Sequence, residues 1–263
     1  MSQLTIALVQ IPLVWHHPPD NRSQIKDRLD VFFQKHKSFD LIVLPEMFTT
    51  GFTMNPEQID PIEAGLTLSW MQYLARLYSC AICGSIVVKE NHTYYNRFYF
   101  VHPDTKVEYY DKHHSFSLAG EKEAYGQGNT RTLINYKGFV IRPLICYDLR
   151  FPVWSRNDQD YDLLLYVANW PSPRINAWDA LLKARAIENI SYVVGVNRVG
   201  EDPNGLHYPG HSSVYDPLGK QLVYTEQEGI TLATIDTELI KAVRTKLNFL
   251  ADRDSFTLTT EGY

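Results

Sequence analysis

The stretch "VIRPLICYDLRFP", residues 140–152, holds a strand and a reactive group together. An aliphatic run climbs to Cys146, after which the chain turns polar and meets Pro152. Five more runs share the character of its first half: "LTIALVQI" (4–11), "DLIVLPE" (40–46), "AICGSIVV" (81–88), "DLLLYVAN" (162–169) and "SYVVGVN" (191–197). Short, continuous, β-branched runs of this kind read as strands covered on both faces. Helical spacing lies between several of them. Residues 24–36 bring Ile25, Leu29, Phe32, Phe33 and His36 to one face, with Ser23 as the expected N-cap. Residues 66–78 (Leu66, Trp70, Met71, Leu74) and 177–189 (Trp178, Leu181, Leu182, Ala186) repeat the pattern. Strand alternating with helix predicts an α/β fold.

Three stretches depart from that alternation. Residues 93–112 alternate around a turn at Pro103–Asp104, residues 132–146 are pinched at Lys137–Gly138, and residues 212–236 turn at Asp216–Gly219. These are antiparallel signals. Mixed sheets, each with helices on one face, suit them better than a purely parallel barrel. No linker, repeat or low-complexity segment interrupts the chain, so residues 1–263 read as one domain. The likeness of "DLIVLPE" to "DLLLYVAN" hints at pseudo-symmetry.

Composition narrows the function classes. Hydrophobic residues make up 44% and charged residues 21%, ordinary values for a globular chain of this length. A formal net charge of −5 with no basic block argues against a nucleic-acid partner. No apolar stretch approaches the roughly 20 residues that span a bilayer, and the N-terminal run, broken by Gln10 and Pro12, reads as a first strand rather than a signal peptide. Three cysteines make no disulfide framework, so a reducing cytoplasm is the expected compartment.

Three polar residues sit where apolar strands end: Glu46 after "DLIVLP", Lys112 after "VEYYD", and Cys146 after "RPLI". Ligands collect at the carboxyl ends of strands in open α/β sheets. A free thiol is only a few per cent ionised at neutral pH, so a cysteine nucleophile needs a base or a nearby cation. Glutamate can accept that proton, and lysine can stabilise the thiolate and a later oxyanion. Taken singly, each has a plainer reading: a buried filler, a solvated loop acid, a surface lysine. Spacing alone does not join them.

Resemblance does. "LPEMFTTGF" (44–52), "YDKHHSF" (110–116) and "CYDLRFP" (146–152) resemble the three signature blocks of the nitrilase superfamily, the carbon–nitrogen hydrolases. "ANWP" (168–171) and "WDALLKARAIEN" (178–189) agree, in the same order, and the likeness runs from the first strand to about Val223. The resemblance implies a four-layer α-β-β-α sandwich, dimerised through its helical layers, working without metal or cofactor. It implies a catalytic triad of Glu46, Lys112 and Cys146, with the backbone N–H of Tyr147 beside Lys112 at the oxyanion. Glu121 in "LAGEKEAYG" matches a second glutamate that orients Lys112 or the substrate amide, with Glu123 as its rival.

"CYDLRFPVW" and residues 168–200 are similar to the omega-amidase branch, compact bacterial type, which hydrolyses the terminal amide of 2-oxoglutaramate and 2-oxosuccinamate. A substrate carboxylate is best met by a bidentate arginine, and Arg174 is the candidate. Phe116, Tyr125 and Trp170 are expected to wall the pocket. Asp148 and Arg150 are expected to brace the turn through local ion pairing rather than act on substrate. "CAIC" (80–83) has metal-motif spacing but no partner ligands, so it reads as structural, and His113–His114 and His16–His17 read as surface or supporting residues. A Cys–His–Glu glutaminase would want glycines hugging the cysteine, where Ile145 and Tyr147 stand. The alternatives are an amidase or N-carbamoyl hydrolase acting on another small amide, such as deaminated glutathione, or an inactive scaffold of the same fold.

Overall fold

Residues 2–36 and 38–258 are described by the computed structural model. Met1, Lys37 and residues 259–263, part of the single domain expected over 1–263, lie outside them. The first half runs β1 (Gln3–Gln10), α1 (Pro18–Lys35), β2 (Leu41–Val43), α2 (Ile62–Leu77), β3 (Ala81–Glu90), β4 (Thr93–Val101), β5 (Val107–Asp111) and a short α3 (Glu121–Ala124). The second runs β6 (Ile134–Tyr136), β7 (Phe139–Ile145), α4 (Pro152–Ser155), β8 (Leu163–Val167), α5 (Ile175–Asn189) and β9 (Tyr192–Val196). After these come β10 (Val199–Glu201), β11 (His207–Pro209), β12 (Ser212–Tyr215), β13 (Gln221–Thr225), β14 (Gly229–Asp236) and α6 (Thr237–Leu247).

Two six-stranded mixed sheets result, ordered β14-β1-β2-β3-β4-β5 and β13-β12-β9-β8-β7-β6, beside a β10–β11 ribbon. From β14 to β5 and from β6 to β13 the pairings run alike: antiparallel, two parallel, two antiparallel. β2 and β8 occupy matching places, which accounts for the likeness of "DLIVLPE" to "DLLLYVAN".

Side-chain alternation builds the layers. Leu4, Ile6 and Leu8 of β1 join a core shared with Ile141, Leu163 and Val194 of the other sheet. Ala7 and Val9, one residue out of phase, pack with Ile25 and Leu29 of α1 and Met71 and Leu74 of α2. On the far side α5 lies so close to β9 that a Cβ on Gly195 would stand 2.5 Å from Leu182 Cδ1. Both faces of each sheet are thus covered, giving helix, sheet, sheet and helix in order.

Some local expectations are corrected. α1 starts at Pro18 with His17 as N-cap, not after Ser23, because a proline at the first helical position needs no N–H partner and already has helical φ. His36 caps the helix instead of extending it. The Lys137–Gly138 turn is a tight one, with φ of 47° and 81°. β13 follows β12 around Asp216–Gly219 as expected, but β14 leaves for the other sheet and pairs along all of β1.

Candidate active site

The parallel strands of the two sheets deliver their carboxyl ends to one place. Glu46, three residues past β2, is fully buried. Its Oε2 accepts the backbone N–H of Asn169 at 2.9 Å, and its carbonyl accepts Asn169 Nδ2 at 2.6 Å. Asn169 follows β8, so the two matching strands are fastened across the sheet interface.

Lys112 follows β5 and is 2% exposed. Its ammonium donates to Glu46 Oε1 at 2.8 Å and to Glu121 Oε1 and Oε2 at 2.8 and 2.9 Å. Asn96, a polar residue inside β4, donates to Glu46 Oε1 at 2.8 Å and to Glu121 Oε1 at 3.4 Å. Glu121 also accepts the Phe116 backbone N–H at 2.6 Å. It is fully buried, whereas its rival Glu123 faces solvent.

Burial works against every charge here, and the neighbours decide the outcome. Desolvation would lower the Lys112 pKa, but the charges of Glu121, Glu46 and Cys146 hold it above the usual lysine range. Burial pushes the Glu121 carboxyl up, with Lys112 opposing and Glu46 adding. Burial likewise pushes the Cys146 thiol well up, Glu46 adds to the effect by charge and hydrogen bond, and Lys112 opposes it. The thiol thus lies beside a glutamate that can act as its base.

Cys146 opens a 3-10 turn, Cys146–Arg150, directly after β7, with φ of 44°. It is thus held on a sharp elbow without flanking glycines, correcting the expectation that an elbow needs them. A left-handed residue other than glycine costs about 1–2 kcal/mol and persists only where its surroundings impose it. The charged groups acting on its thiol are Glu46, Lys112 and Glu121, with no histidine among them, which is not the glutaminase arrangement.

Cys146 opens into a cavity of about 360 Å³, also lined by Phe52, Phe116, Tyr147, Trp170 and Arg174. Tyr125 does not line it. Its hydroxyl donates to the Thr53 carbonyl at 2.8 Å, and its ring packs with Met47 and Val87, because the chain past α3 turns inward to satisfy that hydroxyl. Asp148 and Arg150 do not pair either. Asp148 accepts from Tyr110, His114 and Ile145, while Arg150 lies 5.0 Å over the Trp170 ring and reaches the cavity wall. Arg174 stacks over Phe116 at 4.9 Å. Among the described residues neither guanidinium has an ion pair. Asp202 lines the cavity too, but Asn204, Leu206 and Tyr208 already donate to its carboxylate.

Cys80 and Cys83 are fully buried in the core, as structural residues are. His114 bonds Asp148 and His16 bonds Thr53, supporting roles in both cases. Sequence reasoning missed Asn96, Asn169 and Arg150 as site residues. The signal for the first two was the one that found Glu46: a polar residue in or just past an apolar strand.

Known proteins are similar to this chain along nearly its whole length. An omega-amidase of Escherichia coli (strain K12), YafV, is 44% identical, covering 98% of this chain and 100% of its own. A 2-oxoglutaramate amidase of Bacillus subtilis (strain 168) is 32% identical over 94% of this chain and 96% of its own. The crystal structure of XC1258 from Xanthomonas campestris, a CN-hydrolase superfamily protein with an arsenic adduct in its active site, superposes with a TM-score of 0.94. That match is 40% identical and covers 98% of this chain and 100% of that one. The carbon-nitrogen hydrolase family model matches residues 5–245, and the chain belongs to that family.

Proposed function

We propose that this carbon–nitrogen hydrolase is an omega-amidase releasing ammonia from the terminal amide of small 2-oxo acids, 2-oxoglutaramate and 2-oxosuccinamate. The observation that carries the proposal is the cavity itself. A thiol backed by the Glu46–Lys112–Glu121 cluster lies at its floor, and two guanidiniums without ion pairs, Arg150 and Arg174, stand in its wall. Full-length identity to relatives named for this activity supports it.

In this mechanism Glu46 takes the Cys146 proton and the thiolate attacks the amide carbon. Lys112 and the Tyr147 N–H receive the oxyanion, where preorganised donors commonly contribute most to catalysis. Collapse breaks the C–N bond, Glu46 returns the proton to the departing nitrogen, and ammonia leaves a thioester on Cys146. Water, deprotonated by Glu46, attacks the thioester, and the thiolate departs and recovers the proton. Glu121 orients Lys112 throughout. Arg150 and Arg174 hold the substrate carboxylate, while Phe116 and Trp170 pack the chain between the two ends.

Ammonia release from 2-oxoglutaramate and glutamine tests the substrate class. Glutamine adds an ammonium at the keto carbon, next to the carboxylate that Arg150 and Arg174 hold, so the two guanidiniums repel it. Burying that ammonium unpaired costs at least several kcal/mol, and about 3 kcal/mol already separates substrates by roughly a hundredfold. Equal kcat/KM for the two would overturn the substrate class and leave the triad standing.

We further propose that the chain acts as one domain, that it resides in a reducing cytoplasm, to which the free Cys80 and Cys83 are suited, and that it forms a homodimer through its helical layers. Ile62, Leu66, Tyr73 and Leu77 of α2 and Ile187 of α5 are exposed, in support of the last. Sedimentation equilibrium showing a monomer at micromolar concentration would refute the dimer.

A further inference from the structure

Asp148 is a fully buried carboxylate that none of the steps above uses. Its two oxygens join two loops, Oδ1 on the Lys112 side alone and Oδ2 reaching both. Oδ2 accepts the backbone N–H of Ile145, the residue before Cys146, at 3.0 Å, and the Tyr110 hydroxyl at 2.7 Å. Oδ1 accepts the His114 backbone N–H at 3.0 Å and meets His114 Nδ1 at 2.8 Å. Tyr110 and His114 flank Lys112, two residues away on either side. The Tyr110 hydroxyl in turn accepts the His113 N–H at 3.1 Å and Trp154 Nε1 at 3.0 Å, and the His114 ring stacks on Phe151 at 3.6 Å.

The two loops leave different sheets. Lys112 follows β5 of one and Cys146 follows β7 of the other, so no strand pairing sets the distance between ammonium and thiol. Glu46 is tied across the interface by Asn169, and the Lys112 and Cys146 loops have Asp148. Hydrogen bonds to a charged acceptor are roughly twice as strong as neutral ones, and a buried carboxylate with several donors is a rigid anchor. The elbow that Asp148 closes is also the strained one, since Cys146 has φ of 44°.

We propose that Asp148 is a positioning residue that sets the Cys146 thiol against the Lys112 ammonium, its carboxylate tethering the two loops to each other. The proposal rests on Cys146 and Lys112 acting as described above. It differs from a general contribution to stability in where the loss falls. A misplacement of about 1 Å at reacting atoms can cost about a hundredfold in rate, whereas Trp170 and Arg174 of the cavity wall stand on a segment that Asp148 does not hold.

The test compares Asp148→Asn, Tyr110→Phe and Cys146→Ala on 2-oxoglutaramate, with kcat expressed per folded molecule and the folded fraction taken from thermal unfolding. Asp148→Asn keeps the shape but turns an NH2 group toward donors. Its kcat should fall at least about thirtyfold with KM changed less than about threefold, and alkylation of Cys146 by iodoacetamide should slow in parallel. Tyr110→Phe removes one donor and should lower kcat about three- to tenfold. A folded Asp148→Asn enzyme with intact kcat, or with its loss confined to KM, overturns the proposal. If Asp148→Asn does not fold, wild-type kcat in Tyr110→Phe overturns it instead. Cys146→Ala separates the two levels: if it is inactive while Asp148→Asn is not, only the positioning role falls, and if it turns over, the triad falls with it.

Discussion

Asn169 donates its backbone N–H to Glu46 Oε2 at 2.9 Å, joining residues 123 apart in the chain and on different sheets. With both carboxylate oxygens engaged, one by Asn169 and the other by Lys112 and Asn96, Glu46 is fixed in orientation before substrate arrives. Preorganisation of this kind spares reorganisation during the reaction.

Substitution of the three central residues follows directly. Cys146→Ala should abolish ammonia release with the fold retained. Glu46→Gln should lose the acid–base step, a factor of about 10² to 10⁴, and Lys112→Met should be similarly impaired, because it leaves Glu46 and Glu121 buried without their cation. Steady-state assays on 2-oxoglutaramate check this. More than about a tenth of wild-type kcat, a loss of at most roughly 1.4 kcal/mol, in any of the three would refute the triad.

Arg150 and Arg174 should act on binding rather than on chemistry. Each single alanine variant should raise KM for 2-oxoglutaramate by about tenfold or more, consistent with about 1.5–3 kcal/mol for a charged hydrogen bond. KM for an uncharged amide of the same length should barely move. Equal effects on both substrates would remove the arginines from carboxylate recognition.

Alkylation should be selective. Cys80 and Cys83 are fully buried, while Cys146 is 8% exposed at the cavity floor. Iodoacetamide should add one group, on Cys146, with loss of turnover and with substrate protecting. EDTA should leave turnover intact, since among the described residues no three His, Cys, Asp or Glu side chains are placed to hold a metal ion. Mass spectrometry of the modified protein and an assay after chelation decide both points. Restoration of a chelated, inactive enzyme by zinc would refute the second.

The core thiols should make stability fall in alkali. Burial, with Asp40 adding and Lys137 opposing, pushes the Cys80 thiol up to about 12. The unfolded chain loses that proton near pH 8.5. Between about pH 8.5 and 12 the unfolded state therefore holds fewer protons than the folded one, so rising pH favours unfolding. Stability is complete below this window and declines through it. Cys80→Ala should flatten the decline in urea midpoint between pH 8 and 11, by up to about 1.4 kcal/mol per pH unit. Parallel curves for the two proteins would refute the assignment.

Much of the fold was legible in the sequence because it is local, whereas the candidate site residues were joined by family resemblance. Buried strands announce themselves as unbroken β-branched runs, and the polar residues closing them, Glu46, Lys112 and Cys146, mark where sheets hand the chain to loops. Glu121 was legible only through family resemblance, since an acid in a polar loop gives no sign that it will be buried. Tertiary structure decided what depends on two distant segments meeting. β14 pairs with β1 across more than 200 residues, and no local pattern tells it to leave β13. Tyr125 was expected to wall the pocket, but its hydroxyl needed a buried acceptor and found the Thr53 carbonyl. Asp148 and Arg150 are close enough in sequence to pair, yet the 3-10 turn sends one to Tyr110 and His114 and the other over Trp170. Sequence determines which residues can be buried and which can carry charge. The stacking of one sheet on the other chooses their partners, because a buried polar group must pair with whatever the opposite layer brings within about 3 Å.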